Sequence, residues 1–346
     1  MKLLNINSLK LNIENIEYAK YNLKPIYALN AKENGAQDKE GALLKFAFRD
    51  VGFGYSDCFS WETLGDIPLS KQIENLARGI YNSHLEKSLF FAYIDAQYRA
   101  LKCNIFQDII LPKNHYTCVN LFSLNEKYIE NLNQLGFSFI KLKCGMSLAE
   151  EYIQIKKITP QLKNNNIKLR LDFNSTLNLN QINHFLENIK DCLDVIHFIE
   201  DPIPFNINQW VEIKNKFPYL NMALDRFYGD FNKNNNIVDF IIIKPALQKI
   251  NDIFNLKGKN LPVLFTSYMD HPFGQLTALY EAALFYKNNI ANINQSHCGF
   301  LTHNLYEKNI YSETFEIHDT KLIPSFEGTG FGFDGLLKNE VWRRLL

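Results

Sequence analysis

From about residue 115 the chain alternates between short apolar runs and longer segments with apolar residues every three or four positions. The runs predict strands over 115–122, 137–144, 168–173, 194–201, 221–226, 239–245, 262–268 and 294–300. Between them "LAEEYIQIKKITPQLK", "LNQINHFLENIKD" and "FGQLTALYEAALFYKNN" have the spacing of helices. Several strands are apolar throughout, as expected when both faces of a parallel sheet are covered. Eight strands with helices between them predict a (β/α)8-type barrel, with a doubly wound open sheet as the alternative.

The first hundred or so residues read differently. Stretches 2–13, 21–30 and 43–54 look like strands joined by polar turns such as "AKENGAQDKEG". "LSKQIENLARGIYNSH" and "EKSLFFAYIDAQYRALK" then carry helical spacing. Strands followed by helices predict a separate small α+β unit.

Composition narrows the class. The 346 residues are 46% hydrophobic and 21% charged, with a formal net charge of zero. That balance argues against broad attraction to nucleic acid or to an anionic membrane. No apolar run reaches the roughly 18 residues of a membrane span. The opening "MKLLNINSLKLNIENIEY" is broken by Asn, Lys and Glu and does not read as a signal peptide. Six scattered cysteines with no CxxC pair read as buried thiols in a reducing compartment, which predicts a cytoplasmic protein.

Charged residues sit where the predicted strands end. Strand 137–144 closes on Lys141 and Lys143, which share a face because they are two apart. The next strands close on Asp172 (followed by Asn174), on Glu200–Asp201–Pro202, on Asp225 and on Lys244. Any one of these has a plain reading, as a turn former, a helix cap or a snorkelling lysine. Their succession on five consecutive strands does not, because barrel strands converge at their C-terminal ends on one mouth.

Three carboxylates at that mouth would repel one another unless a cation lay between them. An oxygen-only set of Asp172, Glu200 and Asp225 suits Mg2+ or Mn2+, and the absence of His and Cys argues against zinc. A lysine is a base only when neutral, and neighbouring cations lower its pKa. Lys143 and Lys244 would then flank an ion-bound carboxylate substrate whose α-proton has been made acidic.

These residues make the chain resemble the enolase superfamily, in the muconate-lactonising subgroup with a Lys-x-Lys motif on the second barrel strand. "LRLDFN", "FIEDP", "ALD" and "IIIKP" carry the resemblance, which extends over nearly the whole chain. It implies an α+β capping domain over 1–110, a catalytic barrel over 111–305 and a C-terminal segment, 306–346, packed back on the cap. It also implies Asp172, Glu200 and Asp225 as Mg2+ ligands and Lys143, Lys244 and Lys141 as catalytic residues, acting on a small-molecule carboxylate. "YSDCFSWETLGDIPLSKQI" and "FTSYMDHPFGQ" further resemble the dehydratases of the subgroup, which make o-succinylbenzoate in menaquinone biosynthesis. That likeness implies Lys143 as both base and acid, Lys244 as a stabiliser of the enediolate, and Lys141 as a tuner of Lys143.

Asn174, Thr266 and Ser267 are candidate substrate contacts, each with an equally plain structural reading. Asp270 and His271 read best as a capped turn before Pro272. His297 and His303 read as core or surface residues, and "GFGYSD" with Trp61 as a cover over the mouth. The alternatives within the subgroup are N-succinylamino acid racemase, dipeptide epimerase and cycloisomerase. "NQSHCGFLTHN" lacks the Asp-x-Asp pair expected of an epimerase. A non-catalytic metal-binding barrel is the alternative outside it.

Overall fold

The computed structural model describes residues 6–33, 35–225, 237–248, 261–287 and 297–345. The N-terminal part is an antiparallel sheet of β1 (Ile13–Leu23), β2 (Lys39–Phe48) and β3 (Gly52–Phe59). It is packed against a long helix, Ser83–Ala100, whose first turn is capped by the Asn82 side chain accepting from the Leu85 N–H at 2.9 Å. Gly54 makes that packing possible, because a Cβ there would lie 2.0 Å from the Ala92 carbonyl oxygen.

Three strand expectations in this region are corrected. Residues Ile6–Leu11 are helical, not extended (positions 2–5 lie outside the described residues). Ile6 and Leu9 share one helical face and pack into the cap core, which outweighs the apparent alternation. The strand expected over 21–30 ends at Leu23, ahead of Pro25, which has no N–H to give a ladder. The strand expected over 43–54 is two strands, folded back at Gly52 with φ of 82°, where only glycine is comfortable.

Strands between Lys113 and Cys298 form the barrel. Its parallel strands are β4 (Lys113–Asn114), β5 (Tyr116–Cys118), β6 (Phe139–Lys143), β7 (Lys168–Asp172), β8 (Ile196–Glu200), β9 (Met222–Leu224), β10 (Phe240–Ile243), β11 (Val263–Phe265) and β12 (His297–Cys298). β5 to β11 pair in sequence order. β4 and β5, separated by His115, act as the two halves of the first strand. β12 pairs with β4, and a bridge from Gly299 to Thr266 joins it to β11, so the sheet closes on itself with eight strands. An open sheet is thereby ruled out.

Most strands are shorter than the apolar runs suggest, and the described part of the final one is His297–Cys298 (294–296 lie outside the described residues, as does Arg226). Asparagine begins three of the outer helices: Asn125, Asn178 and Asn206 each accept a backbone N–H of the first turn. Pro272–Lys287 is buried on nearly every face because it touches both barrel strand β11 and cap strand β3. Beyond the barrel come a small hairpin, β13 (Glu316–His318) and β14 (Lys321–Ile323), and then β15 (Arg343–Arg344), which pairs with β1. Arg99 of the cap helix binds Asp95 at 2.5 Å and Asp334 at 2.9 Å, tying this tail to the cap.

No helix among the described residues is long and apolar enough to cross a membrane. All six cysteines are free thiols, and Cys103 is exposed, contrary to the expectation that all are buried.

Candidate active site

Parallel register puts the charged strand ends side by side. Lys143 is paired with Asp172, and Asp172 with Glu200, across β6, β7 and β8. Side chains alternate along a strand, so Lys141, Lys143, Asp172 and Glu200 all point into the barrel. Asp225 and Lys244 follow β9 and β10 directly. All six residues are buried: Asp172 and Glu200 are 0% exposed and none exceeds 7%.

The charges are matched in contact. The Lys141 ammonium donates to both Glu200 oxygens at 2.8 and 2.7 Å and lies 2.9 Å from Asp172 Oδ2. Lys143 donates to the same Asp172 oxygen at 2.6 Å, and Lys244 to Asp225. Burial disfavours the charge on Lys141, but Asp172, Glu200 and Asp225 together outweigh it, so its pKa rises. Lys143 goes the other way: burial, added to by the Lys141 and Lys244 ammonium groups, holds its pKa below the ordinary lysine value. Burial also acts against ionised Asp172, but the three lysines reverse this and hold it well below the carboxylate range. Glu200 is pushed up to about 7 by burial and by neighbouring Asp172.

A hard divalent ion fits this donor set chemically: three buried carboxylates from adjacent strands, oxygen only. As the side chains stand, no three His, Cys, Asp or Glu groups among the described residues gather closely enough to share an ion, and the Lys141 ammonium bridges Asp172 and Glu200. Asp201, beside Glu200, accepts the Asp225 N–H at 3.0 Å and so fixes the start of the Asp225 turn.

The secondary candidates separate. Thr266 is buried with an unpartnered hydroxyl, and the Thr266–Gly299 bridge places it where the barrel closes. Ser267 is turned to Thr302, 2.6 Å away. Asn174 has a left-handed φ of 49°; its N–H donates to Asp172 Oδ1 at 3.0 Å, while its own buried carbonyl is unpartnered. His271 does cap the turn, accepting the Phe273 N–H at 3.1 Å. His303 contacts Gln275, and His297 faces Phe139 in the barrel. Trp61 is buried and donates its indole N–H to the Tyr268 carbonyl at 2.7 Å, so the cap grips the loop after β11.

Two features lie outside the sequence reading. Arg170, two residues before Asp172, is wholly buried beneath the charged ring. Its guanidinium lies 4.3 Å from the centre of the Phe139 ring and 5.1 Å from that of Phe198. It reaches His115 Nδ1 at 2.8 Å, His197 Nδ1 at 3.2 Å and the His297 carbonyl at 2.5 Å. Burial, followed by the charge of Arg170, keeps both of these imidazoles neutral, with His197 lowered to about 3. The second feature is a pair of buried carboxyls, Asp57 on β3 and Asp270 after β11. Their signal was an acid inside a cap strand and another in an otherwise apolar loop.

A closed parallel barrel with Lys-x-Lys on its second strand, three carboxylates on the next three and a lysine on the sixth resembles the enolase superfamily, muconate-lactonising subgroup. Solved structures agree on the fold. Muconate lactonizing enzyme from Pseudomonas fluorescens superposes with a TM-score of 0.72 at 14% identity, over 93% of this chain and 96% of that one. N-succinyl Arg/Lys racemase from Bacillus cereus gives 0.71 at 15%, over 96% and 99%. L-Ala-D/L-Glu epimerase from Bacillus subtilis gives 0.69 at 15%, over 93% and 98%. Residues 16–98 match the family model of the o-succinylbenzoate synthase N-terminal domain. A curated o-succinylbenzoate synthase from Bdellovibrio bacteriovorus is 31% identical over 336 residues, 95% of this chain and 98% of that protein. The chain belongs to the o-succinylbenzoate synthase family, whose members are lyases.

Proposed function

We propose that this enzyme dehydrates 2-succinyl-6-hydroxy-2,4-cyclohexadiene-1-carboxylate to o-succinylbenzoate in the cytoplasm, as a step of menaquinone biosynthesis. The observation that carries the reading, beside the family, is the placement of Lys143 and Lys244 on the second and sixth of eight strands. They face one another across the mouth, with all three carboxylates on the strands between.

Asp172, Glu200 and Asp225 would hold Mg2+, or Mn2+ in its place. When bound, the ion would stabilise negative charge developing on the substrate carboxylate. Lys143, whose hold on a proton is weakened by burial and by two neighbouring ammonium groups, takes the proton from the α-carbon once it is in its neutral form. The electron pair released forms the new ring double bond and expels the hydroxyl. Lys143 returns its proton to that hydroxyl, which leaves as water. Lys244 presents its ammonium to the oxyanion from the opposite side. Lys141, held by Glu200 and Asp172, adds a positive charge that lowers the affinity of Lys143 for a proton.

The test is loss of diene absorbance from the cyclohexadiene substrate, followed with Mg2+ and with EDTA. Rapid, metal-dependent loss is expected. No turnover, together with racemisation of N-succinylamino acids, would move the enzyme to the racemase branch.

A further inference from the structure

Asp57 and Asp270 meet where the cap lies on the barrel. Gly274 opens the space they share: a Cβ there would be 2.3 Å from Asp270 Oδ2 and 2.6 Å from Asp57 Oδ2, so the two oxygens are within about 5 Å of one another. Asp270 is 2% exposed. Asp57 Oδ2 and Asp270 Oδ1 are buried and have no hydrogen-bond partner.

Among the described residues, the polar groups packed around them are engaged as follows. From β1, Tyr21 donates its hydroxyl to Asp57 Oδ1 at 2.6 Å. From the cap helix, Lys87 lines the same space and donates to both oxygens of Glu281, at 3.1 and 2.7 Å. His84 lines the same space and sets its Nδ1 against the Phe59 carbonyl. His271 is held neutral by burial, and its ring packs on Tyr21 at 4.6 Å. Tyr306 spends its hydroxyl on the Met269 carbonyl. The cavity beside the pair is about 20 Å3, room for about one water, and a water cannot neutralise two adjacent anions.

We propose that Asp57 and Asp270 share a single proton, and that this bond from cap to barrel is a positioning contact that sets how firmly the mouth is closed over substrate. A shared proton turns the repulsion of two buried carboxylates into a charge-assisted hydrogen bond. The bond acts on the loop that begins at Thr266 and that the cap also grips through Trp61 and Tyr268. Burial raises the affinity of both carboxyls for a proton, in the direction the shared bond requires.

The pH dependence has a definite sign. When the cap is open the carboxyls are solvated and titrate near pH 4. When it is closed they titrate higher. Between those two points the closed form holds a proton that the open form has lost. Closure is therefore favoured at the acidic end, weakens by up to about tenfold per pH unit as pH rises, and levels off once the closed pair is also ionised.

The proposal rests on the dehydration reading, so one measurement is made without substrate. In the full-length enzyme, the thermal midpoint of the wild type relative to Asp270→Asn should fall as pH rises from about 5 to neutrality. Asn donates a permanent hydrogen bond to Asp57, so Asp270→Asn should keep a KM that does not change with pH. The wild-type KM should rise several-fold over the same range and then level off. Asp57→Asn should repeat the result from the other side. Parallel pH curves for wild type and both Asn variants, in KM and in thermal midpoint, would overturn the proposal. So would a wild-type KM that depends on K+ against Na+ at fixed ionic strength and loses that dependence in Asp270→Asn, since a metal cation and not a proton would then join the pair.

Discussion

Lys143 and Asp172 are register partners on neighbouring strands, and the lysine ammonium lies 2.6 Å from the Asp172 carboxylate it is paired with. A base held this close to a candidate metal ligand feels every change in the charge of the ring around it.

Replacing Lys143 by Ala should lower kcat by about 10²–10⁴-fold or more while leaving Mg2+ affinity near normal. Stopped-flow turnover and calorimetric Mg2+ titration check the two halves. In the wild type, log kcat/KM should rise with pH as Lys143 loses its proton and reach a plateau below the ordinary lysine pKa of about 10.4, because burial and its ammonium neighbours lower it. A variant with near-normal turnover would remove Lys143 from the mechanism.

Glu200→Gln removes one anionic donor and one partner of Lys141. Mg2+ binding should weaken by at least about tenfold, the scale of disturbing a metal site's surroundings, and turnover should fall with it. EDTA should abolish wild-type activity, and either Mg2+ or Mn2+ should restore it. Unchanged Mg2+ affinity in the variant would exclude Glu200 as a ligand.

Arg170→Leu should destabilise the barrel by about 3–5 kcal/mol, measured by urea unfolding. The change removes the donors for His115, His197 and the His297 carbonyl and leaves those buried polar groups unpaired. A loss below about 1 kcal/mol would show that the buried cation contributes little to the fold.

Trp61→Phe keeps the aromatic packing against Phe59 but leaves the Tyr268 carbonyl without its indole donor. A cost of about 1–3 kcal/mol is expected, with a higher KM and a smaller change in kcat. Thermal unfolding and steady-state kinetics separate the two effects.

The charged ring was legible because each of its members interrupts an apolar run at the same point, and barrel geometry makes that point common. Arg170 could have been found by the same parity: it is two residues before Asp172, hence on the same face, in a strand otherwise read as apolar. Asp57 and Asp270 could not be paired from the sequence. They lie on separate units far apart along the chain, and no periodicity links them. The helix at Ile6–Leu11 is not legible for a different reason: over so few residues, apolar spacing fits both periods, and packing against the cap helix decides between them.

The inward side chains Phe198, Ala223, Ile242 and Leu264 form a separate apolar cluster inside the barrel, with Phe240 against it. They share their layer with the Arg170 guanidinium, which packs on Phe198, so the charged groups above rest on apolar side chains around one fixed cation. The field that each lysine and carboxylate casts across the mouth is thus fixed by the backbone, not averaged by solvent. A second charge admitted to that layer, or loss of the Arg170 cation from it, would shift the potential felt by the whole ring while touching neither substrate nor candidate metal ligand.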